Sequence, residues 1–270
     1  MKKILILSLS LIMAFSCASQ EEKEAKFKAT IDSINNEYNE AVQKFEEDAT
    51  LSDDAKYAAI DSVCEALTAK YVKENKTAYS KNKNNKIGLM ALANLRGEVS
   101  TEEFVNMAEG LSEEVKALPE AEKMITAAKA LGNTTEGKPF VDFTVEDSDG
   151  KTVHPSDYVG KGQYVLVDFW ASWCGPCKAE IPNIAEIYRQ YAPKGLCVLS
   201  VAVWDDPADS KAMAEKLGIV WNQIINAQQI PTDAYGIMGI PQIMLFGPDG
   251  TILKRDLRGE KIGEEISKYL

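Results

Sequence analysis

Apolar residues in the first half of the chain recur at steps of three and four. Phe27, Ile31, Ile34, Tyr38, Val42 and Phe45 form one such stripe, the pattern of a helix that buries a single face. Ser52-Asp53-Asp54 supplies a cap for a second helix, whose stripe is Ile60, Val63, Cys64, Leu67 and Tyr71. The polar run from Asn75 to Lys86 predicts a break or a frayed, solvated helix. A third helix is expected over Ile87 to Leu95. Ser100-Thr101-Glu102-Glu103 and Ser112-Glu113-Glu114 mark two further starts, the second interrupted near Pro119. No repeat period emerges here, and no cluster of side chains suggests chemistry. Residues 18–133 are expected to form a small helical bundle; a dimer face, a docking surface or a membrane spacer are uses open to it.

The stretch Gly132-Asn133-Thr134-Thr135-Glu136-Gly137 breaks this pattern and marks the expected boundary, with a second domain over 137–270. Val141 to Glu146 and Lys151 to His154 flank Ser148-Asp149-Gly150, a hairpin signal. Gln163 to Ala171, Leu196 to Val203 and Gln242 to Phe246 are near-continuous apolar runs, as strands covered on both faces should be. Helical stretches lie between them, at Pro176 to Tyr191, Ala208 to Leu217 and about Asp233 to Ile237. Trp221 to Ile230 reads as an insertion between the central strands. Thr251 to Leu257 pairs back across Pro248-Asp249-Gly250, and Lys261 to Leu270 closes as a helix. Such an order predicts an α/β domain with helices on both faces of its sheet.

The start of the chain has a different character. Lys2 and Lys3 precede an apolar run from Ile4 to Phe15, then Ser16 and Cys17. A helix of roughly twelve residues spans about 18 Å, short of the ~30 Å of a bilayer core. Residues 1–17 therefore read as an export leader. Cys17 resembles the acylated cysteine of bacterial lipoproteins, a lipid anchor, and by lipoprotein sorting rules Ala18 and Ser19 favour the outer membrane. The expected location is the cell envelope, where disulfides persist.

The chain has 270 residues, of which 45% are apolar and 26% charged. That balance excludes a disordered or multi-span membrane protein. A formal charge of −11 leaves no basic stripe to release counterions, so no nucleic-acid partner is expected. His154 is the single histidine; a Ser-His-Asp site, a Cys-His protease or a histidine metal cage would have to be built around it alone.

The cysteines decide the chemistry. Cys174 and Cys177 stand in V-L-V-D-F-W-A-S-W-C-G-P-C-K, where an apolar strand ends and a helix begins. As N-cap, the Cys174 sulfur would accept hydrogen bonds from free N–H groups of the first turn, including that of Cys177, and the positive helix end would favour thiolate. Pro176 suits the first turn, which has no use for its missing N–H. Cys174 is expected to attack and Cys177 to resolve. A zinc site needs two more ligands at matching spacing, and Cys64, Cys197 and His154 are remote in sequence, so no metal is expected. Cys64 and Cys197 read as small apolar side chains rather than as a second disulfide. Asp168, flanked by Val165, Leu166, Val167, Phe169 and Trp170, is costly if buried unpaired. Burial would raise its pKa and let it take and return a proton near neutrality. Glu180 lies one helical turn after Cys177, Trp173 precedes the cap, and Pro241 should start a strand or sit at a bulge. Asp205-Asp206-Pro207 turns the chain into a helix.

Val165 to Lys178 resembles thioredoxin. C-K-A-E-I-P, together with the leader, resembles more closely the membrane-anchored, extracytoplasmic thiol-disulfide oxidoreductases of the TlpA/ResA type. The resemblance covers about Gly137 to Leu270. It implies a thioredoxin-like fold, a mixed sheet flanked by helices, preceded here by the all-α region. It also implies thiol-disulfide oxidoreductase activity, with Asp168 assisting Cys177 and Glu180 tuning the pair. Many TlpA/ResA-type relatives have asparagine at the place of Asp168, so this chain departs toward thioredoxin itself. Trp173 is implied to cover the disulfide, Pro241 to be cis, and the backbone of Ile240 to pair with the substrate chain. Gly175-Pro176 resembles the reducing members. Implied partners are protein thiol and disulfide substrates and an upstream membrane thiol as electron donor, with no cofactor and with membrane contact through the lipid anchor only. A disulfide isomerase or oxidase, or a non-catalytic scaffold that binds through its helical region, are the alternatives. Peroxidase relatives carry a threonine-to-cysteine loop motif that is absent around Cys174.

Overall fold

The computed structural model describes the backbone of residues 2–270 and the side chains of residues 20–270, so the Cys17 side chain and the leader expectation lie outside the described residues. The chain divides into two compact units, Met1–Ile125 and Thr126–Leu270. Among the described residues no helix is long and apolar enough to cross a membrane.

The first unit is helical: α1 (Lys2–Glu47), α2 (Asp53–Lys81), α3 (Lys86–Asn94), α4 (Thr101–Glu109), α5 (Glu113–Lys116) and the start of α6 (Pro119–Asn133). Ser52, Ser100 and Ser112 cap α2, α4 and α5, each side chain accepting from a backbone N–H of the first turn. Ile31, Ile34, Leu67, Leu89, Leu92 and Phe104 are buried in its core, whereas Tyr38, in the middle of the first stripe, is exposed. The break expected in the run from Asn75 to Lys86 falls late in it, at residues 82–85, and α2 runs on to Lys81. Asn75 is fully buried. Its amide donates to the Tyr71 carbonyl at 2.9 Å and accepts from Asn94 Nδ2 at 2.9 Å. Tyr79 is buried as well, its hydroxyl donating to the Met107 carbonyl at 2.5 Å. Polar letters hid an inward face on which Asn75 and Tyr79 both find partners. The turn between α2 and α3 needs a glycine at position 88, where a Cβ would stand 2.1 Å from the Asn82 carbonyl oxygen.

The second unit carries a short antiparallel hairpin, β1 (Val145–Glu146) with β2 (Thr152–Val153), and a five-stranded mixed sheet. The sheet consists of β3 (Val165–Trp170), β4 (Cys197–Ala202), β5 (Asn222–Ile224), β6 (Gln242–Phe246) and β7 (Ile252–Lys254), in the order β5-β4-β3-β6-β7. β3, β4 and β5 run parallel; β6 and β7 are antiparallel to their neighbours. Within the expected insertion, Asn222 to Ile224 form an edge strand paired with β4, too short and too polar to read as one.

Helices α7 (Gly175–Tyr191), α8 (Pro207–Leu217), α9 (Ile230–Tyr235) and α10 (Glu260–Ile266) cover the sheet. Two apolar clusters follow the period-2 alternation of the strands. Leu166, Trp170, Val198, Ile243 and Leu245 pack with Ile181, Ile184 and Ile187 of α7 and Ile262 of α10. Val165, Val167, Phe169, Leu199 and Met244 pack with the hairpin and with Tyr235. The α9 helix starts earlier and ends earlier than its sequence pattern indicates, because Gly236 at φ 62° stops it. The same glycine lies against α6, where a Cβ would meet the Ala127 carbonyl oxygen at 2.4 Å. Beside it, Arg255 is buried and donates to the Thr134 carbonyl (2.7 Å), Thr134 Oγ1 (2.6 Å) and the Tyr235 carbonyl (3.1 Å). These contacts lie within the second unit, which includes the end of α6 from Thr126 to Asn133.

Candidate active site

Strand β3 ends at Trp170, and Ala171 to Trp173 lead directly into α7. Cys174 is the N-cap, in extended conformation, and its sulfur accepts the backbone N–H of Cys177 at 3.1 Å. Pro176 occupies the first turn. The two cysteines form a disulfide, with S–S 2.01 Å and Cα–Cα 5.3 Å. Cys174 is 4% exposed and Cys177 1%. Any negative charge that develops on Cys174 faces the free N–H groups and positive end of a 17-residue helix.

The loop before the pair is held in place by Asp205, just after β4. Its carboxylate accepts the Ser172 N–H (2.7 Å) and hydroxyl (2.9 Å) and the Ser210 hydroxyl (2.6 Å). Asp206 takes the capping role for α8, accepting from the Ala208 N–H at 2.8 Å. Trp204 adopts φ 55°, a left-handed backbone that costs a bulky residue about 1–3 kcal/mol. Its carbonyl accepts Trp173 Nε1 at 3.0 Å. Trp173 is thereby tethered while 59% exposed on the surface.

Asp168 lies in the middle of β3, on the same side as Leu166 and Trp170, the side that packs against α7. It is 1% exposed. The register sets it opposite Ser200 on β4 and Ile243 on β6. Ser200 Oγ donates to Asp168 Oδ2 at 3.4 Å and accepts Trp221 Nε1 at 2.9 Å, while Asp168 Oδ1 has no partner. Burial lifts the Asp168 carboxyl from 3.8 to about 7. The Ser200 hydrogen bond and the charge of Arg258 oppose this rise, and the charge of Glu180 adds to it.

Glu180, in α7, accepts the Gly259 N–H on both carboxylate oxygens, at 3.2 and 3.1 Å. Its carboxylate thus ties α7 to the turn after β7. The Ile240–Pro241 peptide bond is cis. Pro241 is buried and Ile240 half-buried, with Met238 and Gly239 exposed just before them. The Pro241 carbonyl accepts from Arg258. Arg258, whose charge acts on Asp168 and which donates to the Pro241 carbonyl, and Glu180, whose charge also acts on Asp168, link three of the expected site residues. The cysteine pair lies on the same side of the sheet as Asp168, and Trp173 is exposed. Cys64 and Cys197 are free thiols, one in each unit. Burial pushes the Cys197 thiol up, and Asn222 donates to it at 3.4 Å. Among the described residues no group of three or more His, Cys, Asp or Glu side chains converges to hold a metal ion.

Sequence reading missed Ser200, Trp221, Asp205 as loop anchor and Arg258. Only strand register identifies Ser200 as the neighbour of Asp168. Asp205 carried a visible signal, an acid directly after a buried strand, which reads locally as turn chemistry.

The AhpC/TSA family pattern matches residues 137–255. The chain is 32% identical over 143 residues to the thiol-disulfide oxidoreductase ResA of Geobacillus thermodenitrificans, a match that spans 53% of this chain and 78% of that protein. It is 30% identical over 120 residues to ResA of Bacillus subtilis, covering 44% of this chain and 66% of the relative. Among solved structures, the thioredoxin domain of a thiol-disulfide oxidoreductase from Bacteroides vulgatus is 30% identical. It covers 50% of this chain and 97% of that domain, with a TM-score of 0.45.

Proposed function

We propose, on the premise that the chain belongs to the thiol-disulfide oxidoreductases of the ResA family, that it is an enzyme that reduces protein disulfides in the cell envelope through Cys174 and Cys177. The observation that carries this reading is the placement of the pair at the start of α7, on the same side of the sheet as a buried carboxyl that titrates near neutrality.

In the proposed cycle the reduced enzyme presents Cys174 as thiolate, stabilised by the first turn of α7. The thiolate attacks one sulfur of a target disulfide. That bond breaks, a Cys174–target disulfide forms, and the other target sulfur leaves as thiolate and takes up a proton. Ionised Asp168 then accepts the proton of Cys177. A carboxyl near 7 lies close enough to a thiol for the transfer to run in both directions. The Cys177 thiolate attacks Cys174, the second target sulfur departs and is protonated, and the pair ends as the disulfide present in the structure. Two electrons from a membrane thiol donor would restore the dithiol. Ile240 and Pro241 would dock the target as an extended segment, with Trp173 at the rim. Glu180 would tune the pair through its charge near Asp168. The leader and Cys17 support export and lipid anchoring, with Ala18 and Ser19 favouring the outer membrane. Gly175-Pro176 supports net reduction.

Cys174→Ser should abolish dithiothreitol-driven reduction of insulin. Cys177→Ser, which stops the cycle after the first exchange, should accumulate thiol-sensitive covalent complexes with envelope proteins on non-reducing gels. Insulin reduction by the Cys174 variant at the unmodified rate would reject the mechanism, and absence of complexes in the Cys177 variant would reject protein substrates.

A further inference from the structure

The turn after β7 has an unusual set of connections. Arg258 donates from Nη1 to the Leu257 carbonyl at 2.6 Å and from Nη2 to the Pro241 carbonyl. Its neighbour Gly259 donates its N–H to both oxygens of Glu180 and accepts Asn183 Nδ2 at 2.7 Å on its carbonyl. Glu180 and Asn183 both belong to α7, whose cap is Cys174. Two consecutive residues therefore join the entrance of β6 to the helix that carries the cysteines. Both lie beyond the part of the chain that matches the AhpC/TSA pattern.

We infer that Arg258 is a positioning residue: its guanidinium sets the Ile240–Pro241 segment relative to Cys174 and so governs docking of a polypeptide substrate, with no part in the sulfur exchange. The inference rests on the proposed reading of Ile240 and Pro241 as the substrate's docking strand. A guanidinium is a planar fork whose donors diverge, and this one spans two backbone carbonyls. An ammonium serves one carbonyl well, and a thioether serves neither. Pro241 is buried, so losing Arg258 leaves its carbonyl short of a partner, and the segment must shift to find one. A small disulfide has no backbone to lay along this segment and should not sense the shift. The groups whose charge or hydrogen bonding acts on Asp168 are Ser200 on β4, Glu180 on α7 and Arg258 itself. Comparing substrates within one variant cancels any change in that balance, because both substrates use the same cysteines.

The test mixes pre-reduced protein, freed of reductant, with insulin or with bis(2-hydroxyethyl) disulfide. Arg258→Met should raise the half-saturating insulin concentration about tenfold, the scale of one lost hydrogen bond to a buried carbonyl. The limiting rate with insulin and the rate with the small disulfide should change by one common factor, since any altered charge at Asp168 acts on both. Arg258→Lys, which keeps one donor, should recover most of the insulin affinity, a rescue that general loosening of the fold would not give. Unchanged half-saturation for insulin in Arg258→Met, whatever the common change in rate, or a Lys variant no better than Met would each overturn the inference. Wild-type protein that exchanges with the small disulfide but not with insulin removes the docking reading itself, and protein that exchanges with neither removes the proposed function, both taking the Arg258 assignment with them.

Discussion

Replacing Asp168 by asparagine keeps the shape of a buried side chain and removes its ionisation. The carboxyl is 1% exposed, and burial lifts it to about 7 from 3.8. The unfolded chain releases this proton near 3.8, so between about pH 4 and 7 the native state holds a proton that the unfolded state has lost. Stability contributed by the protonated form is complete below the unfolded value and disappears as pH rises through about 7. About three units at 1.36 kcal/mol each amount to roughly 4 kcal/mol of stability lost by the wild-type chain on passing from acid to pH 8. An asparagine side chain at this place never ionises and escapes the loss. Its amide must sit where Asp168 Oδ1 already lacks a partner, at a cost of about 1–2 kcal/mol. Asp168→Asn should therefore be more stable than wild type by about 2–3 kcal/mol above pH 8 and slightly less stable near pH 4. Urea unfolding at a series of pH values from about 4 to 9, with the cysteine pair oxidised in both proteins, reads the difference through the fluorescence of buried Trp170 and Trp221. A difference that stays constant over that range would show that the carboxyl is not held near neutrality, and the proton-transfer role would fall with it.

Thr134→Val removes the hydroxyl that meets Arg255 Nη1 at 2.6 Å and the Tyr235 carbonyl at 3.2 Å. It should cost about 1–3 kcal/mol of stability in the second unit, read as a lower urea midpoint with the slope unchanged; no change would mean that the Arg255 contacts to the Thr134 and Tyr235 carbonyls suffice. Asn75→Ala opens a buried polar site and strips Asn94 of its partner. An expected loss of about 1–2 kcal/mol should appear in the unfolding of the helical unit alone. Insulin reduction should stay at the wild-type rate, and a fall in that rate would contradict the independence of this contact from the site.

The limits of sequence reading follow from the range over which its signals act. Cys174 as cap and Asp168 as a buried acid were legible because both depend on neighbours within a few positions: the strand that ends, the proline in the first turn, the apolar residues on either side. The caps Ser52, Ser100 and Ser112 were legible for the same reason. Asn75 was misread because a polar letter on a helix signals solvent unless its partner is known, and its partner Asn94 comes from another helix. The edge strand at Asn222 to Ile224 was hidden because it takes its conformation from pairing with β4 rather than from its own composition.

By itself, then, the chain of letters determined the helical and α/β halves, the place of Cys174 and Cys177 at the start of a helix and the burial of Asp168, since each follows from local periodicity or local capping. Only the tertiary structure decided what surrounds that acid. Strand register brings Ser200 to Asp168 across 32 positions, and a turn beyond β7 sends Arg258 back to Pro241 across 17. Hydrogen bonds of that kind are fixed by how whole strands and helices pack, and packing is a property of the assembled sheet that no short window of sequence contains.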